Sequence, residues 1–318
     1  MTILVVGDAN ADVSAALVHY PAEGDDTQIT TLEWGSGGSA ANVAAALARL
    51  GTPTRLLARV GSDPAAAIAL RVARAAGVDL SAVQTDPAIA TGLCYAAVSP
   101  GGDRTFFSFR GANTTLTVPA PALHSDTRWL HIAGHALFEG QQRETARALF
   151  DAAVQQNVPI SVDLCLPTLR AWRSEIVMLL PDMALLFANE LELAELYPGS
   201  THDGAIAQLQ RTGVPLAAIK LGAGGCLVAT PDTQTHTPAC PVAAIDTNGC
   251  GDAFVAGFLH AQLRGAALEH RMLLANALGA LTATRYGAAK ALPTRHELHA
   301  FLNAQPGGAI VAAQILSS

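Results

Sequence analysis

The stretch DTNGCGDAFVAGF, residues 246–258, decides how the rest of the chain is interpreted. Three small residues stand directly before an apolar run that is typical of a helix: Gly249, Cys250 and Gly251. Backbone N–H groups at a helix start attract negative charge, so such a loop suits an anion. An aspartate nevertheless closes each end of the loop, Asp246 and Asp252. The stretch therefore predicts either an anion site flanked by two carboxylates or a helix that Asp252 simply caps.

A second glycine-rich stretch, GSGGSAAN, covers residues 35–42. It matches the dinucleotide pattern GxGxxA and precedes an Ala-rich segment, for which we expect a helix with Ser39 as its cap. The first apolar strand, however, ends some thirty residues earlier, whereas the dinucleotide fingerprint directly follows such a strand. A tight turn before the helix is therefore favoured over a dinucleotide site. A third interpretation is that the glycines let the backbone approach a small polar ligand, with Asn42 facing it.

Most of the chain alternates strand-like and helix-like segments, which predicts a mostly parallel sheet with helices on both faces. TRLLARVG (54–61) is expected to be one strand and AAAIALRVARAAGV (65–78) one helix. Strands follow strands only in two segments, about 13–35 and 89–112, which we expect to form a small β-sheet lid over a single α/β domain, 1–318.

Composition excludes several classes of protein. Half of the 318 residues are hydrophobic, 14% are charged and the net charge is −7, which argues against a nucleic-acid partner. No apolar run reaches the length of a membrane span, and no basic segment precedes the apolar N-terminus, so we expect a cytoplasmic protein. The five cysteines form no CxxC pair, which predicts free thiols.

Taken together, the two glycine-rich stretches resemble the two signatures of the ribokinase-like (PfkB-type) carbohydrate kinases. Intermediate landmarks occur in the order that this family has: NADV after the first strand, NELE after a later strand, then KLGAGG before the final motif and TATRYGA after it. The resemblance covers nearly the whole chain. It implies a three-layer sandwich with a β-sheet lid, and an ATP-dependent kinase that phosphorylates a hydroxymethyl group of a small sugar.

The resemblance assigns catalytic roles to the loop quoted first. Asp252 would be the general base that takes the proton of the attacking hydroxyl, and the N–H groups of Gly249, Cys250 and Gly251 would form an anion hole. Cys250 replaces the usual alanine of the motif, which the chemistry tolerates because only its N–H is used. Base and anion site share one loop because both must flank the reacting atom.

The resemblance also implies an ATP and metal site. Glu192 would help to hold Mg²⁺ through water, as part of the motif Asn189-x-x-Glu192. Asp246 would hold a monovalent cation, so K⁺ is an expected cofactor. The residues assigned to ATP are Asn189, Lys220, Gly222, Gly225 and Asn276. From the residues alone, Glu192 would be a solvated acid at a helix start and Lys220 an ordinary lysine at a strand end.

Sugar contacts are expected from the N-terminal half. The matching positions are Asn10, Asp12, Gly38 and Asn42. His135 stands where ribokinases carry a sugar-contacting acid, which weakens any assignment to ribose, and a buried structural histidine is an open alternative. Arg104, in the predicted hairpin, could reach an acidic substrate or pair across the strands. Ser39 stands where ribokinase has a lysine.

Other functions stay open at this point. A nucleoside kinase is the closest rival, because Trp34 and the hairpin phenylalanines could stack on a base. A phosphofructokinase is less favoured, since no compact basic cluster is visible for a substrate phosphate. An NAD-dependent oxidoreductase and a sugar-binding protein without catalysis are further rivals. The resemblance also implies a homodimer that forms through the lid.

Overall fold

The computed structural model describes residues 2–119 and 123–316. In chain order the strands are β1 Thr2–Val6, β2 Asn10–Leu17, β3 Ile29–Gly37, β4 Thr54–Leu57, β5 Arg59–Gly61, β6 Gln84–Asp86, β7 Gly92–Val98, β8 Arg104–Phe109, β9 Thr127–Ala133, β10 Ile160–Asp163, β11 Leu185–Asn189, β12 Ala217–Lys220, β13 Cys226–Ala229 and β14 Gln234–Thr237. The helices are α1 Ser39–Arg49, α2 Pro64–Ala69, α3 Arg71–Ala75, α4 Gly140–Gln155, α5 Leu166–Leu179, α6 Glu190–Leu196, α7 His202–Arg211, α8 Cys250–Leu263, α9 Leu268–Ala283, α10 Arg295–Asn303 and α11 Gly308–Ile315.

The large sheet has eight strands in the order β14-β13-β12-β11-β10-β9-β1-β4. All neighbours are parallel except β12–β13 and β13–β14, which are antiparallel. The central strands of the sheet are buried on both faces and are therefore mostly apolar, whereas the edge strand β14 is polar and partly exposed. On β1, for example, Ile3 and Val5 belong to one core, and Leu4 and Val6 to the other. This confirms the predicted mostly parallel sheet with helices on both sides.

Helices α1, α8 and α9 pack on one face of the large sheet. Phe187 of β11 meets Phe254 and Phe258 of α8 edge to face, with ring centroids 6.3 and 5.6 Å apart. Small alanine side chains line α1, and every residue from Ala40 to Leu47 is buried. Small side chains allow close packing, which brings the start of α1 to the start of α8.

The small sheet, as we call β3-β2-β7-β8, is a separate four-stranded sheet. The strands β2 and β3 are antiparallel, β2 and β7 parallel, and β7 and β8 antiparallel. It contains the hairpin expected around Pro100 and confirms the predicted smaller sheet.

Three local expectations were wrong. TRLLARVG forms two strands, because Arg59–Gly61 leaves the large sheet and pairs with Gln84–Asp86. The helix expected at 65–78 is split at Leu70 into α2 and α3. Ser39 does not cap α1: the cap position is Gly38 and no side chain caps it.

Within residues 2–119 and 123–316, no helix combines the length and the apolar character that crossing a bilayer requires.

Candidate active site

Asp252 lies in the first turn of α8, facing the start of α1. Ser39 Oγ donates a hydrogen bond to Asp252 Oδ1 at 2.6 Å, and Asn42 Nδ2 donates to Oδ2 at 2.7 Å. Burial raises the pKa of Asp252 to about 6, although the bonds from Ser39 and Asn42 work to lower it. A carboxylate that is fixed by two donors and whose pKa lies near neutrality has the properties of a general base. Ser39 and Asn42 therefore orient this carboxylate, a role that sequence analysis gave to neither.

The loop before Asp252 has little freedom. Gly249 has φ 76°, and a β-carbon there would lie 2.9 Å from Ala288 Cα, so only glycine fits. A β-carbon on Gly251 would lie 3.6 Å from Lys220 Nζ, which shows that the ammonium group borders the loop. Burial raises the pKa of the Cys250 thiol to about 12, so this thiol stays protonated.

One member of the predicted anion hole is engaged elsewhere. The N–H of Cys250 donates to the carbonyl of Thr247 at 3.2 Å. Gly251 and Asp252 occupy the first turn of α8, where N–H groups have no partner within the helix. The helix start thus offers its positive end to an anion next to Lys220.

Asp12 faces Asp252 from the small sheet. Burial, followed by the charge of Asp252, raises the pKa of Asp12 to about 7. Its carboxylate lies directly over Gly37, where a β-carbon would come within 2.1 Å of both carboxylate oxygens. Gly38 has φ 90°, and a β-carbon there would lie 2.4 Å from the carbonyl oxygen of Asp8. The two glycines thus make room for Asp12 and for the backbone around it.

Asn10 and His135 lie near a polar cluster that the sequence did not reveal. Asn113 Nδ2 donates to Asn10 Oδ1 at 2.8 Å, and Asn113 is itself fully buried. Asp8 Oδ1 accepts hydrogen bonds from Arg110 and Gln142, each at 2.9 Å.

His135 is half-buried beside this cluster. Burial lowers its pKa, and the charges of Asp8 and Asp163 work against that shift. His135 does not line the cavity that lies between the small sheet and the loops beside α8 and α9.

A cavity of about 410 Å³ opens between the small sheet and the loops on either side of α8 and α9. Asp12, Arg104 and Phe106 line it from the small sheet, and Asp246 and Lys290 line it from the opposite side. Trp34 and Tyr286 also contribute to its wall. Asn10, Gly38, Asn42 and Asp252 are not among its lining residues, and Asp12 is the lining residue that faces Asp252. The volume suits a small polar molecule that contacts Asp12.

On the other side of the loop, Lys220 forms a charged cluster with two acids. Lys220 Nζ donates to Asp163 Oδ1 at 2.6 Å. Burial lowers the pKa of Lys220, but the neighbouring Asp163 and Glu192 outweigh it and raise that pKa, so the ammonium stays charged. The sequence did not single out Asp163, although its position at the end of the buried strand β10 was an available signal.

Asn189 and Glu192 form a capping box at the start of α6. Asn189 Oδ1 accepts from the N–H of Glu192 at 2.9 Å, and Glu192 Oε2 accepts from the N–H of Asn189 at 2.7 Å. Glu192 is only 7% exposed, so it is not the solvated acid that the residues alone suggested. Burial raises its pKa to about 7, while Lys220 lowers it.

The remaining positions assigned to ATP lie around the turn after β12. Gly222 has φ 56° and Gly225 φ 90°, and a β-carbon on Gly225 would lie 2.1 Å from the carbonyl oxygen of Thr237. Asn276 is buried on α9, and its Nδ2 donates to the carbonyls of Thr237 and Pro238 at 3.1 and 3.0 Å. These bonds give Asn276 a structural task at the edge of the large sheet, and its contact with ATP stays a prediction.

Asp246 has surroundings that do not fit the expected K⁺ site. Its Oδ1 accepts from the Arg104 guanidinium and from the N–H of Asn248, and its Oδ2 accepts from the N–H of Gly287 at 2.8 Å. Burial works to raise the pKa of Asp246, but these donors hold it below its usual value. A cation needs oxygen acceptors, whereas each of these contacts is a donor. Arg104, expected to contact substrate, is thus bound to Asp246.

Within the described ranges there is no cluster of three or more His, Cys, Asp or Glu side chains able to hold a metal. Asp163 and Glu192 nevertheless provide two carboxylates beside the Asp252 loop. Mg²⁺ keeps much of its water shell and takes few protein ligands, so this pair of acids fits it.

Comparison with known proteins decides the family. The model of the pfkB family carbohydrate kinases matches residues 2–295. The chain belongs to this family. An ATP-dependent ribose-1-phosphate kinase of Halopiger xanaduensis is 35% identical over 95% of this chain and 98% of its own. A fructokinase of Salmonella typhimurium is 32% identical over 83% of this chain and 90% of its own.

Solved structures agree with this pfkB assignment. Arabidopsis thaliana ribokinase, solved with ribose and ATP, superposes with a TM-score of 0.82 at 25% identity, over 95% of this chain and 99% of its own. The relatives are kinases of small sugars, so the dehydrogenase interpretation of GSGGSA was wrong. The ribokinase-like fold, with its central sheet and smaller sheet, is confirmed.

Proposed function

We propose that this pfkB family member transfers the γ-phosphate of ATP to a hydroxymethyl group of a small sugar, with Asp252 as the general base. One observation carries this proposal: Asp252, oriented by Ser39 and Asn42, lies close both to Asp12, which lines the cavity, and to Lys220 of the charged cluster. A base in that position borders both the sugar hydroxyl and the phosphate that it attacks. A sugar-binding protein without catalysis would not need the Asp252 carboxylate to be held by two hydrogen-bond donors.

In the proposed reaction, Asp12 accepts hydrogen bonds from sugar hydroxyls and fixes the ring. Asp252 takes the proton of the hydroxymethyl group as its oxygen attacks the γ-phosphorus, and ADP leaves with the electron pair of the broken P–O bond. The helix start at Gly251 and the ammonium of Lys220 stabilise the charge on the transferred group. Mg²⁺, held through water by Glu192 and Asp163, would neutralise phosphate charge.

The charges that line the cavity favour a neutral sugar. Asp12, Glu33 and Asp246 face only two cations, Arg104 and Lys290, and both cations already have a carboxylate partner. A substrate phosphate would meet an excess of negative charge there. We therefore propose a sugar with free hydroxyl groups as the principal substrate class.

A ribose 1-phosphate is the second candidate, supported by the name of the Halopiger relative. Lys290 also supports it. Its side chain is 73% exposed, and its ion pair with Glu33 is long, with Nζ and Oε2 3.6 Å apart. Such a weak surface pair breaks at little cost, which would leave the ammonium free for a phosphate. A nucleoside is a third candidate, since Trp34, Phe106 and Tyr286 could stack on a base.

A substrate panel tests these assignments. ADP release is measured by a coupled assay with ribose, fructose, ribose 1-phosphate and inosine, at fixed ATP and Mg²⁺. The proposal expects the highest kcat/KM with a neutral sugar, and Lys290→Ala should leave that value unchanged. If ribose 1-phosphate is preferred, Lys290→Ala should lower its kcat/KM selectively. Absence of ADP release with every sugar and nucleoside would contradict the proposed function.

We further propose that the small sheet is the lid of a single-domain enzyme and pairs between two copies. Successive residues of a strand point to opposite faces, so Phe107 and Phe109 face away from Phe106 and the cavity. Leu32, Phe107 and Phe109 are 52–54% exposed and form an apolar surface that a second copy would cover. Sedimentation velocity should show a dimer that Phe107→Glu dissociates.

The five free cysteines support a reducing compartment such as the cytoplasm.

A further inference from the structure

The Asp246 carboxylate is surrounded by donors from three separate segments. Arg104 reaches it from β8 of the small sheet, the N–H of Asn248 from the loop before α8, and the N–H of Gly287 from the turn after α9. The Asp246 side chain is only 3% exposed, and that of Arg104 24%. The guanidinium occupies Oδ1 of this carboxylate, so a monovalent cation would have to compete with it for that oxygen.

The same contacts hold the loop that leads to the proposed base. Asp246 ties Asn248 to Gly287, and the next residue, Ala288, is packed against Gly249 so closely that Gly249 cannot carry a side chain. A buried carboxylate without a compensating charge is strongly destabilising, and in this loop it would lie six residues before Asp252. The guanidinium therefore neutralises the charge on which the shape of the loop depends.

We propose that Arg104 is a built-in cation, a positioning residue that takes the place of a monovalent metal ion at Asp246. The kinase then works without K⁺. Because Arg104 belongs to the small sheet, the position of that sheet is coupled to the order of the loop from Asp246 to Gly251. Arg104 acts on the reaction through Asp246 and the loop, and it does not touch the reacting atoms.

Melting temperature tests the ion pair without any assumption about the substrate. Arg104→Ala should melt at a lower temperature than the wild type, and a few millimolar guanidinium should restore part of the loss. Arg71→Ala is the matched control, because Arg71 also contacts the small sheet, through the carbonyl of Trp34, but not Asp246. Its melting temperature should not respond to guanidinium. Equal responses of the two variants would overturn the proposal.

The kinetic test rests on the proposed function. Wild-type kcat should agree within about twofold in potassium chloride and in tetramethylammonium chloride of equal ionic strength. Arg104→Ala should lose about tenfold or more in kcat and regain activity with guanidinium. A wild type that needs K⁺, or a variant that guanidinium does not rescue, would overturn the proposal. Wild-type inactivity in both salts would instead count against the proposed function, and the melting result would still stand.

Discussion

Gly37→Ala is the change that separates sugar binding from stability most cleanly. A β-carbon at Gly37 would lie 2.1 Å from both carboxylate oxygens of Asp12. An alanine at this position is therefore incompatible with the present conformation of the Asp12 side chain. Gly37 does not have a left-handed backbone, and the atoms in conflict are the far end of a side chain that can rotate. The alanine should therefore move the Asp12 carboxylate and leave the fold intact.

The size of the effect follows from the bonds that Asp12 would lose. A hydrogen bond to a charged group is worth about 1.5–3 kcal/mol, and about 1.4 kcal/mol corresponds to a factor of ten. Loss of one such bond to the sugar should raise KM for the sugar about 10- to 150-fold. KM for ATP should stay within about twofold, because Asp12 lies on the sugar side of Asp252.

Steady-state kinetics with both substrates varied measures this prediction. Gly101→Ala is the matched control: it lies in the turn between β7 and β8, and a β-carbon there would meet only Asp103, at 3.9 Å. Its constants should equal those of the wild type, and thermal melting should be similar for all three proteins. An unchanged KM for the sugar in Gly37→Ala would refute the assignment of Asp12 to sugar hydroxyls.

Two further predictions concern pH. Burial raises the pKa of Asp252 to about 6, and a base must be deprotonated, so kcat/KM should rise about tenfold per pH unit below 6 and level off only above about 7, where the sugar-binding Asp12 is deprotonated as well; a profile that stays flat from about pH 5 to 8 would refute this. His131 and His260 have pKa values lowered to about 3 by burial, which favours their neutral forms in the folded chain. Between pH 6.5 and 3 the unfolded chain therefore binds more protons than the folded chain. As the pH is lowered through this range, the free energy of unfolding should fall by up to about 1.4 kcal/mol per pH unit for each histidine. Denaturant titrations at several pH values measure this slope, and constant stability down to about pH 4 would contradict it.

The sequence predicted those features that short patterns encode. Alternation of strands and helices gave the parallel sheet, and the two glycine-rich stretches identified the loops at the starts of α1 and α8. Local pairing could not be predicted where distant segments compete. Arg59–Gly61 is an example: it continues an apolar run, yet it leaves the large sheet because Gln84–Asp86 offers it a partner.

The candidate site shows the same limit. Ser39 looked like a helix cap, but its hydroxyl bonds to Asp252, 213 residues away. Asp163 stands at the end of a buried strand, β10, and only the fold shows its role: it binds Lys220 of β12, two strands away in the sheet. Asp246 was expected to bind a metal cation, but its positively charged partner is the side chain of Arg104, 142 residues away in the sequence. Such contacts depend on the packing of whole elements and leave no local pattern.

The most direct test of the proposed reaction compares Asp252→Asn with the wild type. Asparagine keeps the shape of the side chain and cannot accept the proton, so kcat should fall by about 10²- to 10⁴-fold. Isothermal titration should show that sugar and ATP still bind with affinities close to those of the wild type. Phosphorylated sugar formed by the variant at a rate within tenfold of the wild type would contradict the role of Asp252 as the base.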